Sequence, residues 1–196
     1  MVAMLWEFES LFAHQNKMNL NEFNSLIDLY FYQAGKQNSK SDFLEWLNPK
    51  IKTKFNWGET SENIYKLAKT IKANIQDGDR CLLVSENRPE WLISDIAIML
   101  ANGITVPAYT TYTEQDYKYL VDDCEPSIII VSNDMMHTKL KNIIDEKPFI
   151  KKVITFEEIE KADYKEKYLY FKKIVNKKLE DIDKIKNTSL KRNSPA

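Results

Sequence analysis

Apolar positions along the chain switch between a helical period near four and a strand period of two. In residues 20–32, Phe23, Leu26, Ile27 and Tyr30 recur at offsets of three, four and seven, the stripe of an amphipathic helix, with Asn19 or Asn21 as its cap. The polar stretch 35–42 reads as a loop, and residues 51–57 alternate as a strand that pairs with an extended piece at 43–46. From Thr60 or Ser61 onward, Ile64, Leu67, Ala68, Ile71 and Ile75 mark a helix, which Asp77-Gly78-Asp79 ends by its turn chemistry.

Beyond residue 80 strands and helices alternate, with connections too long for hairpins, so the strands are expected to be parallel. Residues 81–85, 104–109, 127–131 and 152–156 are the four strands, and the unbroken Ile128-Ile129-Ile130-Val131 run predicts a strand covered on both faces. Between them, residues 89–102 form a helix apolar nearly all round, which must be covered by protein on most sides; Asp95 within it then needs a partner. Asn87 and Glu90 have capping-box spacing, and Pro89 falls in the first turn, where a missing N–H costs little. Gly103 is expected to end that helix with a positive φ. Thr113 caps the next helix, with Glu114 and Asp116 in its first turn and Tyr117, Leu120, Val121 and Cys124 as its stripe. Met136, Leu140, Ile143 and Ile144 mark another helix, and Tyr164, Tyr168, Phe171, Val175 and Ile182 a final helix or helical hairpin. The fold class is therefore α/β.

Composition removes several alternatives. The 196 residues suffice for one α/β unit, and 28 basic against 29 acidic side chains leave no global field to attract nucleic acid, so no nucleic-acid partner is expected. Residues 161–192 hold eleven basic against five acidic residues; a solvated helix is the first reading and peripheral contact with a membrane the second. No stretch approaches the ~18 consecutive apolar residues of a membrane span, and residues 1–12 lack the basic and apolar regions of a signal peptide. Cys81 and Cys124 sit in apolar-periodic stretches without metal or redox spacing, which suits a reduced, cytoplasmic protein with both thiols buried.

Candidate chemistry is sparse. With only Gly35, Gly58, Gly78 and Gly103, no glycine-rich phosphate loop can be built. His14 and His137 are far apart and lack an acidic or cysteine cluster, so no metal site is expected. Ser85 and Ser132 end strands, where nucleophiles can sit, yet neither has nucleophile-elbow glycines.

Three segments carry a resemblance. They are Phe55-Asn56-Trp57-Gly58-Glu59, Ser85-Glu86-Asn87-Arg88-Pro89-Glu90-Trp91, and Leu100-Ala101-Asn102-Gly103-Ile104-Thr105-Val106-Pro107-Ala108-Tyr109, with Asp77-Gly78-Asp79-Arg80 between the first two. In order and spacing this set resembles the amino-terminal part of the AMP-forming long-chain acyl-CoA synthetases, members of the adenylate-forming ANL superfamily. The resemblance implies an incomplete parallel-sheet subdomain of the ANL N-terminal domain, divided into an extension at 1–18, the N-terminal part of the AMP-binding domain at 19–156, and a basic helical segment at 157–196. Residues 191–196 resemble the lead-in to the family's phosphate-loop strand. Met18 is an alternative start to Met1.

The activity implied is two-step: a fatty-acid carboxylate attacks the α-phosphate of ATP, and the CoA thiol then displaces AMP. ATP, Mg²⁺ and CoA would serve the full-length enzyme, with none held tightly by this portion, whose partner would be the remainder of the same enzyme. No catalytic residue of the family is found here. By resemblance, Tyr109, Thr110 and Thr111 lie near the mouth where CoA enters, although Thr110 replaces a common proline. Asn87, Arg88 and Glu90 are explained by cap, helix dipole and ion pair without substrate. Alternatives are an aryl or medium-chain ligase, or a non-catalytic binding module or half of a split enzyme.

Overall fold

The computed structural model describes residues 22–48, 52–159 and 166–178. The extension at 1–18, the caps Asn19 and Asn21, the stripe positions Tyr164 and Ile182, and the lead-in at 191–196 lie outside the described residues.

Helix α1 (Leu26–Lys36) starts later than its stripe suggested, because the Ser25 hydroxyl, not an asparagine, accepts from the Asp28 N–H. Phe23 precedes the helix and packs edge-on to Tyr32 at 4.9 Å. Strands β1 (Asp42–Leu47) and β2 (Lys52–Asn56) pair antiparallel as expected. Helix α2 (Trp57–Lys72) begins three residues before Thr60, since Asn56 and Glu59 exchange both bonds of a capping box. It ends at Ala73, and Gly78, with φ +85°, makes the turn that follows.

The main sheet comprises β3 (Arg80–Val84), β4 (Ile104–Ala108), β5 (Ile128–Val131), β6 (Lys152–Thr155) and β7 (Tyr168–Tyr170). Their order is β4-β3-β5-β6-β7, with every pair parallel. Helices α3 (Pro89–Leu100), α4 (Glu114–Cys124) and α5 (Asp134–Glu146) make the crossovers, and the short α6 (Phe171–Val175) follows β7. Alternate strand residues serve two cores. Cys81, Leu83, Ile128, Ile130 and Ile154 pack with α2 and α3, while Leu82, Val84, Ile129, Val131 and Val153 pack with α4 and α5. A strand buried on both faces gains about 1.5–3 kcal/mol per large aliphatic side chain, so the isoleucine run anchors both layers.

Four expectations change. Tyr168–Tyr170 is a fifth strand rather than part of a helix: Tyr168 joins one core and Leu169 packs against the other, an alternation too short to separate from a helical stripe until β6 supplies its backbone partners. Helix α3 has no side-chain cap; its N-cap is Arg88, Asn87 is exposed, and Glu90 turns to Arg88 instead of the backbone. The positive φ at the end of α3 belongs to Asn102 (63°), not Gly103. Asn102 donates to Met99 and Gly103 to Ile98, a Schellman pair, and Gly103 is glycine because a Cβ there would lie 3.0 Å from both Ile75 Cδ1 and Ile98 Cγ2. Finally, only Cys81 is buried; Cys124 is half-buried, and both are free thiols.

Helix α3 is otherwise covered as predicted, nine of its twelve residues being buried. Burial pushes the Asp95 carboxyl upward; the Thr105 hydroxyl offsets this in part, although among the described residues no hydrogen bond of good geometry reaches that hydroxyl.

Candidate functional site

Parallel strands send all their carboxyl ends to one edge of the sheet. In this strand order the chain leaves β3 toward β4 on one side and returns to β5 on the other, so the loops after β3 and β5 diverge there.

After β4 the chain turns through residues 109–112 before Thr113 and Asp116 close the capping box of α4. Tyr109 is 66% exposed, Thr111 is exposed and Thr110 half-buried. The three residues implicated by resemblance therefore form one turn on the rim. Three donors hold it through four hydrogen bonds. Tyr112 N–H donates to the Tyr109 carbonyl at 3.2 Å, Tyr117 Oη donates to the same carbonyl at 2.7 Å, and Lys139 Nζ donates to the carbonyls of Thr110 and Tyr112 at 2.8 and 2.9 Å. The rings of Tyr109, Tyr112 and Tyr117 pack edge-on in series, with centroids 5.5 and 5.8 Å apart. Burial, then the nearby Glu86 charge, pushes the Tyr117 phenol up to about 12, which keeps it a donor at any physiological pH.

The loop after β3 is a charged knot. Arg88 Nε and Nη2 donate to the two oxygens of Glu90 at 2.9 and 3.0 Å, and Nη1 donates to Glu157 beyond β6 at 2.8 Å. Its guanidinium lies over Trp46 of β1, 4.4 Å from the ring centroid, and 5.5 Å from that of Phe156. Burial opposes the charge, but Glu90 and then Glu157 outweigh it and hold the pKa above the ordinary guanidinium value. Arg88 and Glu90 are thus consumed in joining the hairpin, α3 and the sheet, as the ion-pair reading anticipated; the cap reading of Asn87 does not hold.

Between these loops, Asn133 Nδ2 donates to Glu86 Oε1 at 2.9 Å, while Glu86 Oε2 and Ser132 Oγ are buried without a partner among the described residues. Ser85 Oγ donates to the Glu86 carbonyl. Among the described residues neither serine meets a histidine: His137 is buried on α5 and pairs with Tyr168 Oη at 2.9 Å. Among the described residues no three His, Cys, Asp or Glu side chains gather in a metal-binding group, and none of the four glycines belongs to a phosphate-cradling loop. The described residues therefore do not fit an ATP polyphosphate or its metal.

Lys139 and Tyr117 escaped sequence reasoning. Tyr117 read as an ordinary stripe position, and Lys139, on α5, reaches a turn 27 to 29 residues earlier, which no local pattern announces.

Comparison with known proteins gives the context of this rim. The family model described as AMP-binding enzyme matches residues 31–196. Among curated relatives, the long-chain-fatty-acid–CoA ligase FadD15 of Mycobacterium tuberculosis is 29% identical over 84 residues, covering 43% of this chain and 14% of that protein. The long-chain-fatty-acid–CoA ligase ACSBG2 of Xenopus laevis is 32% identical over 72 residues, covering 37% of this chain and 10% of that protein, and ACSBG2 of Gallus gallus is 26% identical over 131 residues, covering 66% and 16%. The matched segments thus span less than a fifth of these relatives. The crystal structure of the anthranilate CoA ligase AuaEII in complex with anthranoyl-AMP shares the fold, with a TM-score of 0.67 at 16% identity over 81% of this chain and 29% of that one. By the family match and the shared α/β fold, this chain belongs to the AMP-binding enzyme family, that of the adenylate-forming ligases.

Proposed function

We propose that this chain is the N-terminal portion of a long-chain fatty acid CoA ligase, which makes acyl-CoA, AMP and pyrophosphate from ATP, a fatty acid and CoA. In this reading residues 19–156 supply scaffold strands and one rim of the site, 1–18 are an extension, and 157–196 lead toward the phosphate-loop strand. Turn 109–111 is the coenzyme entrance. The observation that carries the proposal is the rim itself: a turn pinned from two helices presents an exposed tyrosine ring at the carboxyl edge, in a chain with no glycine-rich loop. An exposed ring suits stacking on the adenine of a nucleotide-bearing coenzyme, as aromatic side chains do with bases generally. The Asn87-Arg88-Pro89-Glu90-Trp91 wording and the names of the curated relatives support the long-chain substrate.

Transfer of the adenylyl group to the carboxylate, with release of pyrophosphate, and then of the acyl group to the thiol, with release of AMP, depends on donors aimed at charge that develops on the phosphoryl and carbonyl oxygens. ATP and Mg²⁺ would be held by the remainder of the enzyme, and CoA would pass the rim described here. Reduced, unclustered cysteines support a cytoplasmic protein, and the basic excess of residues 161–192 supports peripheral membrane contact. Among the described residues no helix is long and apolar enough to cross a membrane.

The test is pyrophosphate release by the purified 196-residue chain with palmitate and ATP. No sustained turnover is expected, and steady release would contradict the assignment of catalysis to other residues. In the full-length polypeptide carrying this chain, thioester formation should favour palmitate over octanoate and benzoate; a preference for benzoate would replace the long-chain reading by an aryl one.

A further inference from the structure

We infer that Lys139 is a positioning residue for the coenzyme entrance, acting through the backbone of turn 109–112 and not by touching substrate. The inference rests on the reading of residues 109–111 as that entrance. Its basis is an asymmetry in how the turn is held. Tyr109 and Thr111 are exposed, the Tyr109 ring packs edge-on to Tyr112, and β4 is the edge strand of the sheet among the described residues. The backbone supplies the restraint: Tyr117 takes the Tyr109 carbonyl, and a single half-buried ammonium takes the carbonyls of Thr110 and Tyr112.

Two carbonyl dipoles held on one cation cannot turn outward toward an anionic ligand, and a phosphate-bearing coenzyme needs just that avoidance. Charge-assisted bonds are the stronger kind, so the ammonium outweighs the loose turn's freedom. Lys139 also couples the rim to α5, whose Leu140, Ile143 and Ile144 are locked in the core. Removing the ammonium would free two carbonyls while leaving α5, the sheet and the capping box of α4 in place. Only a ligand that passes the rim should notice.

CoA is absent from the first half-reaction and required for the second, which allows a clean separation. In the full-length polypeptide carrying this chain, Lys139→Met should raise the KM for CoA in thioester formation about ten-fold, in line with the sensitivity of bound geometry to small displacements. Palmitate-dependent ATP–pyrophosphate exchange should stay within about two-fold, and Lys139→Arg, which keeps a cation able to bond both carbonyls, should recover most of the CoA affinity. Tyr109→Ala is the parallel probe of the entrance. If Tyr109→Ala raises the CoA KM and Lys139→Met does not, the positioning role is overturned while the entrance stands. Should neither variant change it, the entrance reading fails and takes this inference with it. An equal loss of exchange and thioester formation in Lys139→Met would mean a general structural role, and would also overturn it.

Discussion

Replacing Arg88 by methionine removes the cation paired with Glu90, and the structure allows the loss to be apportioned. The Arg88 and Glu90 side chains are 3% and 7% exposed, so in the variant Glu90 is left as a buried carboxylate without its partner, at a cost of about 3–5 kcal/mol. The arm to Glu157 adds little, because that carboxylate is 39% exposed and solvent screens it; exposed pairs contribute about 0–1 kcal/mol. Stacking on Trp46 adds about 1 kcal/mol, part of which the methionine side chain retains. Arg88→Met should therefore destabilise by about 4 kcal/mol, and with a urea slope of about 2 kcal/mol/M the midpoint should fall by about 2 M. Urea titration followed by tryptophan fluorescence reads this directly. The decisive variant is Arg88→Met combined with Glu90→Leu, which removes both charges and should lie within about 2 kcal/mol of the parent, because an apolar pair can replace a buried ion pair. If the double variant instead loses the sum of the two single losses, the pair is not coupled and the reasoning fails.

Other outcomes follow from single contacts. Burial, first among several influences, lowers the pKa of His137; its unfolded value near 6.5 then exceeds the folded one. The unfolded chain thus binds the proton more readily, so this contribution to stability is full above about pH 6.5 and is lost as pH falls through the folded value. Urea midpoints at pH 7.5 and 5 should differ less in His137→Gln than in the parent; an unchanged difference would assign the acid sensitivity elsewhere. Gly103→Val should cost about 1–3 kcal/mol, since its branched carbons must displace Ile75 and Ile98, and a thermal midpoint equal to the parent's would refute that crowding. Ile129→Ala, at a fully buried strand centre, should cost about 2–5 kcal/mol in the same titration, and a loss below about 1 kcal/mol would contradict its burial beneath α4 and α5.

The order of elements from α2 through β6 was readable from the chain because its signals are local. Thr113 and Asp116 cap α4 within four residues, and Ile128-Ile129-Ile130-Val131 announces a doubly covered strand without reference to anything else. The Asn56 and Glu59 box is equally local, but the strand before it runs straight into the helix and hides the boundary in the apolar pattern. The candidate rim came from motif wording in residues 85–109 and proved to be a single exposed turn, yet nothing nearby in sequence revealed what fastens it.

Hydrophobic period and capping chemistry act over one or two turns of chain, and together with connections too long for hairpins they determined that this protein alternates helices and parallel strands. Tertiary structure decided the rest: that Tyr168–Tyr170 becomes a strand beside β6, that Arg88 reaches Glu157 across 69 residues, and that Lys139 returns to the turn after β4. Such contacts exist only after the sheet has brought distant segments to one edge, and their strength depends on the desolvation that packing creates, a property no stretch of sequence carries by itself.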